Sequence, residues 1–505
     1  MSDIAVIGAG FGGIALAVRL QAAGHQVTLI EGREKPGGRA YVWEDDGFTF
    51  DAGPTVITDP TCLDELFDAA GRRRDDYVEL MPVTPFYRLM WEDGRVFDYS
   101  NDEARLFEQI AQFNPADVEG YKRFFEYSKG VFHEGYEKLG HVPFLDFKSM
   151  LKAAPSLMRY QAWRSVYSMV ASYIRDEHLR EAFSFHTLLV GGDPFKTSSI
   201  YALIHALEKK WGVWFPRGGT HALVRGLVRL FQDIGGRVRL GSPVTAIDAS
   251  GAAVTGVRTA DGWSGRFDAV ASNADVVHSF RDLLAGHPRG RSKGRSLASR
   301  RHSPSLFVVY FGLKGTHPEI PHHSILFGPR YKGLLNEIYD KGTLAKDFSL
   351  YLHHPTASDP QLAPEDCSAF YVLSPVPHMG KARIDWAVEG PRYRDRILEA
   401  LEEKLVPGLR ERLVTLRHFG PDNFKSELNA HLGSAFSLEP VLQQSAYFRV
   451  HNRDDVLTNL YFVGAGTHPG AGLPGVIGSA KATARLMLAD LPAAHRAEPM
   501  ALAAE

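Results

Sequence analysis

Residues 4–13 of the chain read IAVIGAGFGG, four apolar residues followed by a glycine-rich turn. A helix-compatible run continues to Ala23, Gly24 interrupts it, and a second apolar run ends just before Glu31. Strand, G-x-G-x-x-G turn, helix, strand and acidic residue in this order are the fingerprint of a dinucleotide-binding βαβ unit. The sequence therefore predicts an α/β protein with a Rossmann-type domain at its start.

The glycines and the acid of this unit have separate expected roles. Gly8 permits the tight turn, Gly10 lets a pyrophosphate approach the backbone, and Gly13 lets the helix and strand pack closely. The free N–H groups at the helix N-terminus bind the phosphates. Glu31 accepts a hydrogen bond from a ribose 2′-hydroxyl. We assign these four residues to cofactor binding.

A second glycine motif favours FAD over NAD. Residues 36–39 read PGGR, at the position of the second fingerprint of a large flavoprotein superfamily that includes the amine oxidases. Gly38 lets the backbone approach a pyrophosphate, and Arg39 neutralises its charge. Residues 47–55, GFTFDAGPT, resemble the segment that passes along the isoalloxazine ring in that superfamily. The residues assigned to the cofactor there are Gly53, Pro54 and Thr55.

A third glycine-rich segment lies at residues 464–475, GAGTHPGAGLPG, between a predicted strand and a helix predicted over 476–489. The N-terminus of that helix is expected to stabilise the reduced flavin at its pyrimidine edge. Where the superfamily often has an acid after the strand glycine, this chain has Ala465, so backbone N–H groups are expected to replace that carboxylate. The cofactor residues assigned in this segment are Gly464, Gly466, Pro474, Gly475 and Val476. Val244, in a predicted strand of the same domain, is also assigned to the cofactor.

The composition of the 505 residues is that of an ordinary globular protein, with 44% hydrophobic and 23% charged residues. A formal net charge of -2 provides no global field to attract nucleic acid. Two cysteines without C-x-x-C spacing favour a reducing compartment. The sequence contains no run of 18 uncharged apolar residues, so it predicts no transmembrane helix. We therefore expect a protein on the cytoplasmic side, with no nucleic-acid partner.

Short, turn-punctuated strands over 237–275 return the chain to the nucleotide domain, so that domain is expected to be discontinuous. The insertions between its segments are rich in aromatic residues and helical patterns, which predicts a mixed sheet-plus-helix substrate domain. The predicted segments are 1–80, 215–300 and 430–495 for the FAD-binding domain, 80–215 and 300–430 for the substrate domain, and 496–505 for a flexible tail.

From Val6 to Ala484 the chain resembles the bacterial-type carotenoid desaturase family, to which the bacterial phytoene desaturases belong. The segments that carry the resemblance are the N-terminal fingerprint with residues 36–41, and residues 47–60, 183–192, 211–219 and 464–484. The resemblance implies a two-domain architecture like that of amine oxidases and GDI. It also implies an FAD-dependent, membrane-associated enzyme that removes hydrogen from a long polyene hydrocarbon, typically converting phytoene to lycopene.

A polyene has no carbonyl to acidify a C–H bond, so we expect hydride loss to flavin N5 and then loss of a neighbouring proton from the allylic cation. Positioning the chain in an apolar tunnel is then the main task of the protein. The candidate proton acceptors are Glu439, Asp176 and His186. The histidines near residues 317–323 lie in a Pro-rich setting without helical spacing, so no metal site is expected.

Two segments are candidates for docking to a membrane surface. Residues 144–174 combine basic and aromatic residues in an amphipathic pattern, and residues 283–318 are basic and contain no acid. The alternative interpretation is a pair of core helices with snorkelling side chains for the first segment, and a solvated mobile loop for the second. We expect peripheral attachment to the cytoplasmic face of the cell membrane, with quinone or dioxygen as electron acceptor.

Two other interpretations stay open at this point. One is a different flavoenzyme on the same frame, such as a neurosporene-forming or diapophytoene desaturase, a carotenoid isomerase, or an amine or porphyrinogen oxidase. The other is a non-catalytic lipid carrier that kept the fold and lost the flavin. The intact set of cofactor-binding glycines argues against the carrier.

Overall fold

A computed structural model describes residues 1–492, in which parallel and mixed sheets are covered by helices. The strands are β1 Asp3–Ile7, β2 Gln26–Ile30, β3 Val42–Asp45, β4 Phe48–Asp51, β5 Leu80–Pro82, β6 Tyr87–Met90, β7 Val96–Tyr99, β8 Trp214–Pro216, β9 Arg237–Arg239, β10 Val244–Ser250, β11 Ala253–Thr259, β12 Ser264–Arg266, β13 Ala269–Ser272, β14 Ser305–Lys314, β15 His323–Leu326, β16 Leu350–His353, β17 Cys367–Val376, β18 Leu413–Phe419 and β19 Leu460–Phe462. The helices are α1 Phe11–Ala22, α2 Thr61–Ala69, α3 Glu103–Phe113, α4 Asp117–Phe132, α5 Phe147–Arg159, α6 Val166–Val170, α7 Glu177–Ser184, α8 Leu203–Trp211, α9 Thr220–Asp233, α10 Val276–His278, α11 Pro288–Ala298, α12 Tyr331–Asn336, α13 Trp386–Lys404, α14 Pro421–Leu428 and α15 Leu473–Asp490. The predicted tail, 496–505, lies outside the described residues.

The first sheet is parallel throughout, in the order β19-β13-β1-β2-β9. Its central strand β1 pairs Ile4 with Ala269 on one side and with Val27 on the other. These residues are buried on both faces, as parallel sheets require. All five strands come from the three segments predicted for the FAD-binding domain, although they lie as far apart as residues 3 and 462 in the chain.

Helix α1 begins directly after the glycine-rich turn and packs against α9 and α15. The turn requires glycine because Gly8 has a positive φ of 92°. A Cβ on Gly13 would lie only 2.0 Å from the carbonyl oxygen of Gly8. The absence of a side chain at this position therefore brings the helix N-terminus close to the end of β1, as the sequence predicted.

The second large sheet has seven strands in the order β18-β14-β17-β16-β15-β6-β7, all from the segments predicted for the substrate domain. Alternate residues of β14 face opposite sides, as the pleat dictates. Phe307 joins an apolar cluster with Trp386 of α13, whereas Val308 and Tyr310 join the aromatic core on the other side. That second side faces the cavity described below.

Helices α3 to α8 cover this aromatic core between the two sheets. Phe124 of α4 and Phe183 of α7 pack against each other, and Phe183 also contacts Phe97 of β7 and His205 of α8. Within residues 1–492, the structure contains no helix that combines the length and the hydropathy needed to cross a membrane.

The basic segment 283–318 is largely regular structure, because it contains α11 and the buried strand β14. Its arginines also have partners. Nε of Arg289 donates to Asp454 Oδ2 at 3.0 Å, and Nε of Arg301 donates to Glu439 Oε2 at 2.7 Å. The interpretation as a solvated mobile loop is wrong for most of this segment, and these ion pairs neutralise part of the charge proposed for membrane docking.

The contact between α1 and the turn gives a stability prediction. Gly13→Ala should lower the free energy of unfolding by about 2 kcal/mol, because the new Cβ must displace the helix from the Gly8 carbonyl. Urea denaturation followed by circular dichroism measures the change. The control is Gly286→Ala, where a Cβ meets nothing within 4 Å, so its effect should stay within about 0.5 kcal/mol. Equal stabilities of the two variants would contradict this account of the close contact.

Candidate functional site

The carboxyl ends of four parallel strands meet at one edge of the first sheet. Gly8 follows β1, Glu31 follows β2, Asn273 follows β13, and Gly464 follows β19 with one residue between. Nδ2 of Asn273 donates to the Gly8 carbonyl at 3.2 Å. A Cβ on Gly464 would lie 2.3 Å from Asn273 Oδ1. Ligands of open α/β sheets bind at this edge, which is where the nucleotide motifs were expected to act.

A cavity of about 1240 Å³ begins at this edge and extends between the two large sheets. Its wall contains most of the residues assigned to the cofactor from sequence. Those that line it are Gly8, Gly10, Glu31, Gly38, Arg39, Gly53, Pro54, Thr55, Val244, Pro474, Gly475 and Val476. The structure therefore brings together segments that are more than 400 residues apart in the chain.

Three assigned glycines do not line the cavity and have a packing role instead. Gly13 packs against the Gly8 carbonyl, and Gly464 packs against Asn273. A Cβ on Gly466 would lie 2.5 Å from Val276 Cγ1. These glycines allow the strand ends and helices around the cavity to approach one another.

Glu31 stands at the end of β2 with its carboxylate against the glycine turn. Its Oε2 accepts from the Ala9 N–H at 2.6 Å, and its Oε1 accepts from the Arg33 N–H at 3.0 Å. A carboxylate fixed in this way, in the cavity wall, still has lone pairs free to accept from ribose hydroxyls. This geometry agrees with the role predicted for Glu31.

Arg39 supplies a half-buried cation near Gly10 and Gly38. Its Nε donates to the Ala435 carbonyl at 2.5 Å, but its Nη2 is buried and has no hydrogen-bond partner within residues 1–492. Burial lowers the pKa of Arg39, and nearby Asp275 opposes that shift. An unpartnered buried guanidinium N–H beside a glycine turn fits the pyrophosphate of FAD, so the residues present fit this cofactor.

The segment Gly53–Thr55 is held by two tyrosines of the second sheet. Tyr371 donates its hydroxyl to the Gly53 carbonyl at 3.1 Å and lies 2.7 Å from Thr55 Oγ1. Tyr351 lies 3.0 Å from the same Oγ1. Burial raises the pKa of Tyr371 well above its usual value, so this hydroxyl keeps its proton. The two domains therefore share this wall of the cavity.

The N-terminus of α15 forms another part of the wall, with residues 470–478 lining the cavity. Arg449, which the sequence analysis did not single out, holds the loop before this helix. This fully buried guanidinium donates from Nε to the Thr467 carbonyl at 2.9 Å and from Nη2 to the Ala465 carbonyl at 2.6 Å. These two hydrogen bonds to the main chain hold the loop that contains Ala465.

Away from the nucleotide edge the cavity wall becomes mainly apolar. Its residues come from α5, the turn at 185–190, α8 and the facing strands of the second sheet. They include Met150, Ala153, Leu157, Leu188, Leu189, Ile204, Leu207, Val308, Ile325 and Leu373. One continuous cavity thus has a polar end built for a dinucleotide and an arm lined by hydrocarbon side chains.

The three candidate proton acceptors do not line this cavity, and the structure does not bring them together. Asp176 is the N-cap of α7 and accepts from the Leu179 N–H at 3.0 Å. Glu439 is wholly buried in its ion pair with Arg301. His186 lies behind the wall, with its Nε2 3.0 Å from Oε2 of Glu208. Local sequence could not distinguish these structural positions from catalytic ones.

The histidines of the second sheet form a group that the sequence did not show. Strand pairing of β15 with β16 brings His353 beside His322 and His323, with possible ligand atoms within 4.8 Å of one another. The Nε2 atoms of His322 and His353 are 3.0 Å apart, and Tyr351 bonds Nδ1 of His323 at 2.8 Å. Burial lowers the pKa of His323 to about 3. Among the described residues the group holds no carboxylate or thiolate to balance a divalent cation. The absence of a metal stays a prediction.

Comparisons with known proteins agree with this geometry. Residues 11–488 match the family of flavin containing amine oxidoreductases. The chain is 63% identical to the phytoene desaturase (lycopene-forming) of Pantoea ananas, over 97% of this chain and 100% of that protein. It is 44% identical to the phytoene desaturase (neurosporene-forming) of Cereibacter sphaeroides, over 98% and 96%. A solved structure of putrescine oxidase bound to putrescine is 16% identical, with a TM-score of 0.65 over 97% of this chain and 99% of that one.

Because Nη2 of Arg39 has no hydrogen-bond partner among the described residues, we expect this residue to contribute to the affinity for FAD. Arg39→Met should raise the Kd for FAD roughly ten- to a hundredfold, because a charged hydrogen bond to the pyrophosphate is lost. Equilibrium dialysis with FAD measures it. Lys35→Met is the control, since Lys35 pairs with Glu44 at the surface, and its Kd should change by less than about twofold. Unchanged FAD binding by Arg39→Met would show that the pyrophosphate lies elsewhere.

Proposed function

The chain belongs to the family of flavin containing amine oxidoreductases, and we propose that it acts there as an FAD-dependent desaturase that converts phytoene to lycopene. The observation that carries this is full-length similarity to a lycopene-forming phytoene desaturase, at 63% identity, against 44% for a neurosporene-forming one. The cavity supports it, because an arm lined by apolar side chains opens from the cofactor end. A polyene hydrocarbon has the chemistry to fill such an arm.

FAD, when bound, supplies the two-electron oxidant for each desaturation. The residues of the chain bind the cofactor and position the substrate. Glu31, Arg39 and the helix N-termini hold the cofactor, and the apolar arm holds the polyene and excludes water. A hydrocarbon offers no polar group to bind, so shape and length of the arm determine which carbon atoms reach the cofactor. The intact cofactor-binding residues disfavour a non-catalytic lipid carrier.

We further propose that α5 docks the protein on the cytoplasmic face of the cell membrane. Phe147, Leu151 and Met158 on this helix are 53%, 58% and 68% exposed, and Trp163 just beyond it is 64% exposed. Exposed apolar side chains of this size are concentrated here. A basic residue directly follows each of them, at positions 148, 152, 159 and 164. This pattern suits an anionic lipid surface.

The opposite side of α5 supports the same proposal. Met150, Ala153 and Leu157 of this helix line the apolar arm of the cavity. A polyene dissolved in the bilayer therefore has a short route past α5 into the arm, with no passage through water. A membrane quinone, which shares that bilayer, is the electron acceptor this arrangement favours, and dioxygen is the alternative.

Pigment formation tests the desaturase proposal. Expression in a colourless host that makes phytoene should yield lycopene, identified by chromatography and its absorption spectrum. Gly10→Val is the matched negative control, because its side chain would fill the space at the turn and block the pyrophosphate. Unchanged phytoene in cells that contain folded, FAD-loaded wild-type protein would overturn the proposal.

Vesicle flotation tests the docking surface. Replacing Phe147, Leu151, Met158 and Trp163 by serine should reduce binding to vesicles containing anionic phospholipid by at least about tenfold, because the inserted apolar area is lost. Val388→Ser with Val414→Ser is the control, since both valines are exposed on other elements. An equal floated fraction for both variants would contradict docking through α5.

A further inference from the structure

Acidic residues in the wall of the cavity are, with one exception, held by cations or by several hydrogen-bond donors. The held residues, with partners in parentheses, are Glu31 (Ala9 and Arg33 N–H), Asp59 (Thr61 and Cys62 N–H, Tyr136 hydroxyl), Glu65 (Arg19, Lys481), Glu134 (Lys138), Glu137 (Lys210), Asp275 (Val277 and His278 N–H) and Glu427 (Arg33). The exception is Glu208, which no lysine or arginine within residues 1–492 contacts.

Glu208 lies on α8 and is 0% exposed, yet it lines the cavity beside apolar Ile204 and Leu207. Its Oε1 accepts from the Tyr87 hydroxyl at 2.7 Å. Its Oε2 accepts no hydrogen bond from any of residues 1–492, although Nε2 of His186 lies 3.0 Å away. An incompletely paired carboxylate next to hydrocarbon side chains is costly, and no lysine or arginine of the described residues offsets that cost.

We propose that Glu208 stabilises the positive charge that develops on the polyene. The inference rests on the proposed desaturase function. In each desaturation one C–H bond gives its hydrogen and both electrons to the oxidised flavin, which leaves a positive charge on the polyene.

Electrostatics explains why a carboxylate belongs in this apolar wall. A carbocation next to hydrocarbon side chains lacks the solvation that water provides, and a fixed negative charge stabilises it strongly at low dielectric. The Tyr87 hydroxyl fixes the carboxylate through Oε1. A neutral substrate gains little from this charge, so the interaction acts on the charged state that forms during the reaction.

The isosteric change Glu208→Gln tests the proposal on the FAD-loaded protein in phytoene-containing vesicles. It should slow flavin reduction in a single turnover roughly a hundredfold, because the negative charge in the cavity wall is lost. Tyr87→Phe separates this role from a structural one, since it removes the hydrogen bond but keeps the carboxylate. It should slow the reaction much less than Glu208→Gln, and equal losses would overturn the proposal.

Glu181→Gln is the control for removing a half-buried carboxyl group that lies outside the cavity. Glu181 lies on α7 outside the cavity and accepts from Trp91 Nε1 at 2.7 Å, and burial raises its pKa to about 7. The variant should reduce flavin at the wild-type rate. A normal rate for Glu208→Gln as well would overturn the proposal, while lycopene formation by the wild type would leave the desaturase function standing.

A binding measurement needs no turnover and therefore tests Glu208 independently of the desaturase function. The probes are a long-chain trimethylalkylammonium ion, which imitates the carbocation, and the uncharged hydrocarbon with carbon in place of nitrogen. The wild type should prefer the ammonium, and Glu208→Gln should reduce the ratio of the two affinities about tenfold or more. An unchanged ratio would overturn the proposal.

Discussion

The contact between Gly13 and the carbonyl of Gly8 is the constraint on which the rest of the structure depends. It lets α1 start within a few ångströms of the end of β1, so the free N–H groups of the helix point at the edge where four strands end. Asn273 and Gly464 pack into the same crossing. A side chain at Gly13 or Gly464 would separate the strand ends and open the cofactor site.

From this edge the cavity passes between two sheets of different construction. The parallel sheet contributes glycine turns, an acid and a half-buried arginine, which suit a dinucleotide. The mixed sheet contributes one face of β14 to β17, where alternate residues point into the cavity and are mostly aliphatic or tyrosine. Tyr371 connects the two sheets' domains, because its hydroxyl donates to the Gly53 carbonyl. Both domains therefore hold this part of the cavity wall.

The nucleotide half of the site could be predicted because its signals are local. The glycine turn, the PGGR motif and the C-terminal glycine segment each place strand, turn and helix within a few dozen residues, and most of their assigned residues line the cavity. The proton acceptors could not be predicted in the same way. Asp176 and Glu439 have the right chemistry, but an N-cap and a buried ion pair occupy them. Likewise, residues 283–318 looked like a basic loop because Asp454, the partner of Arg289, is distant in the chain.

By itself the sequence determined the cofactor-binding fold, because close backbone packing at a βαβ turn demands glycine at particular positions and leaves a readable pattern. Only the tertiary structure decided which carboxylate lies in the apolar part of the cavity wall and which polar side chains contact it. Tyr87, His186 and Glu208 are separated by 22 to 121 residues, and they meet because β6, the turn at 185–190 and α8 pack around one aromatic core. Side-chain neighbours across such a core depend on helix packing and strand register, which no short run of residues specifies.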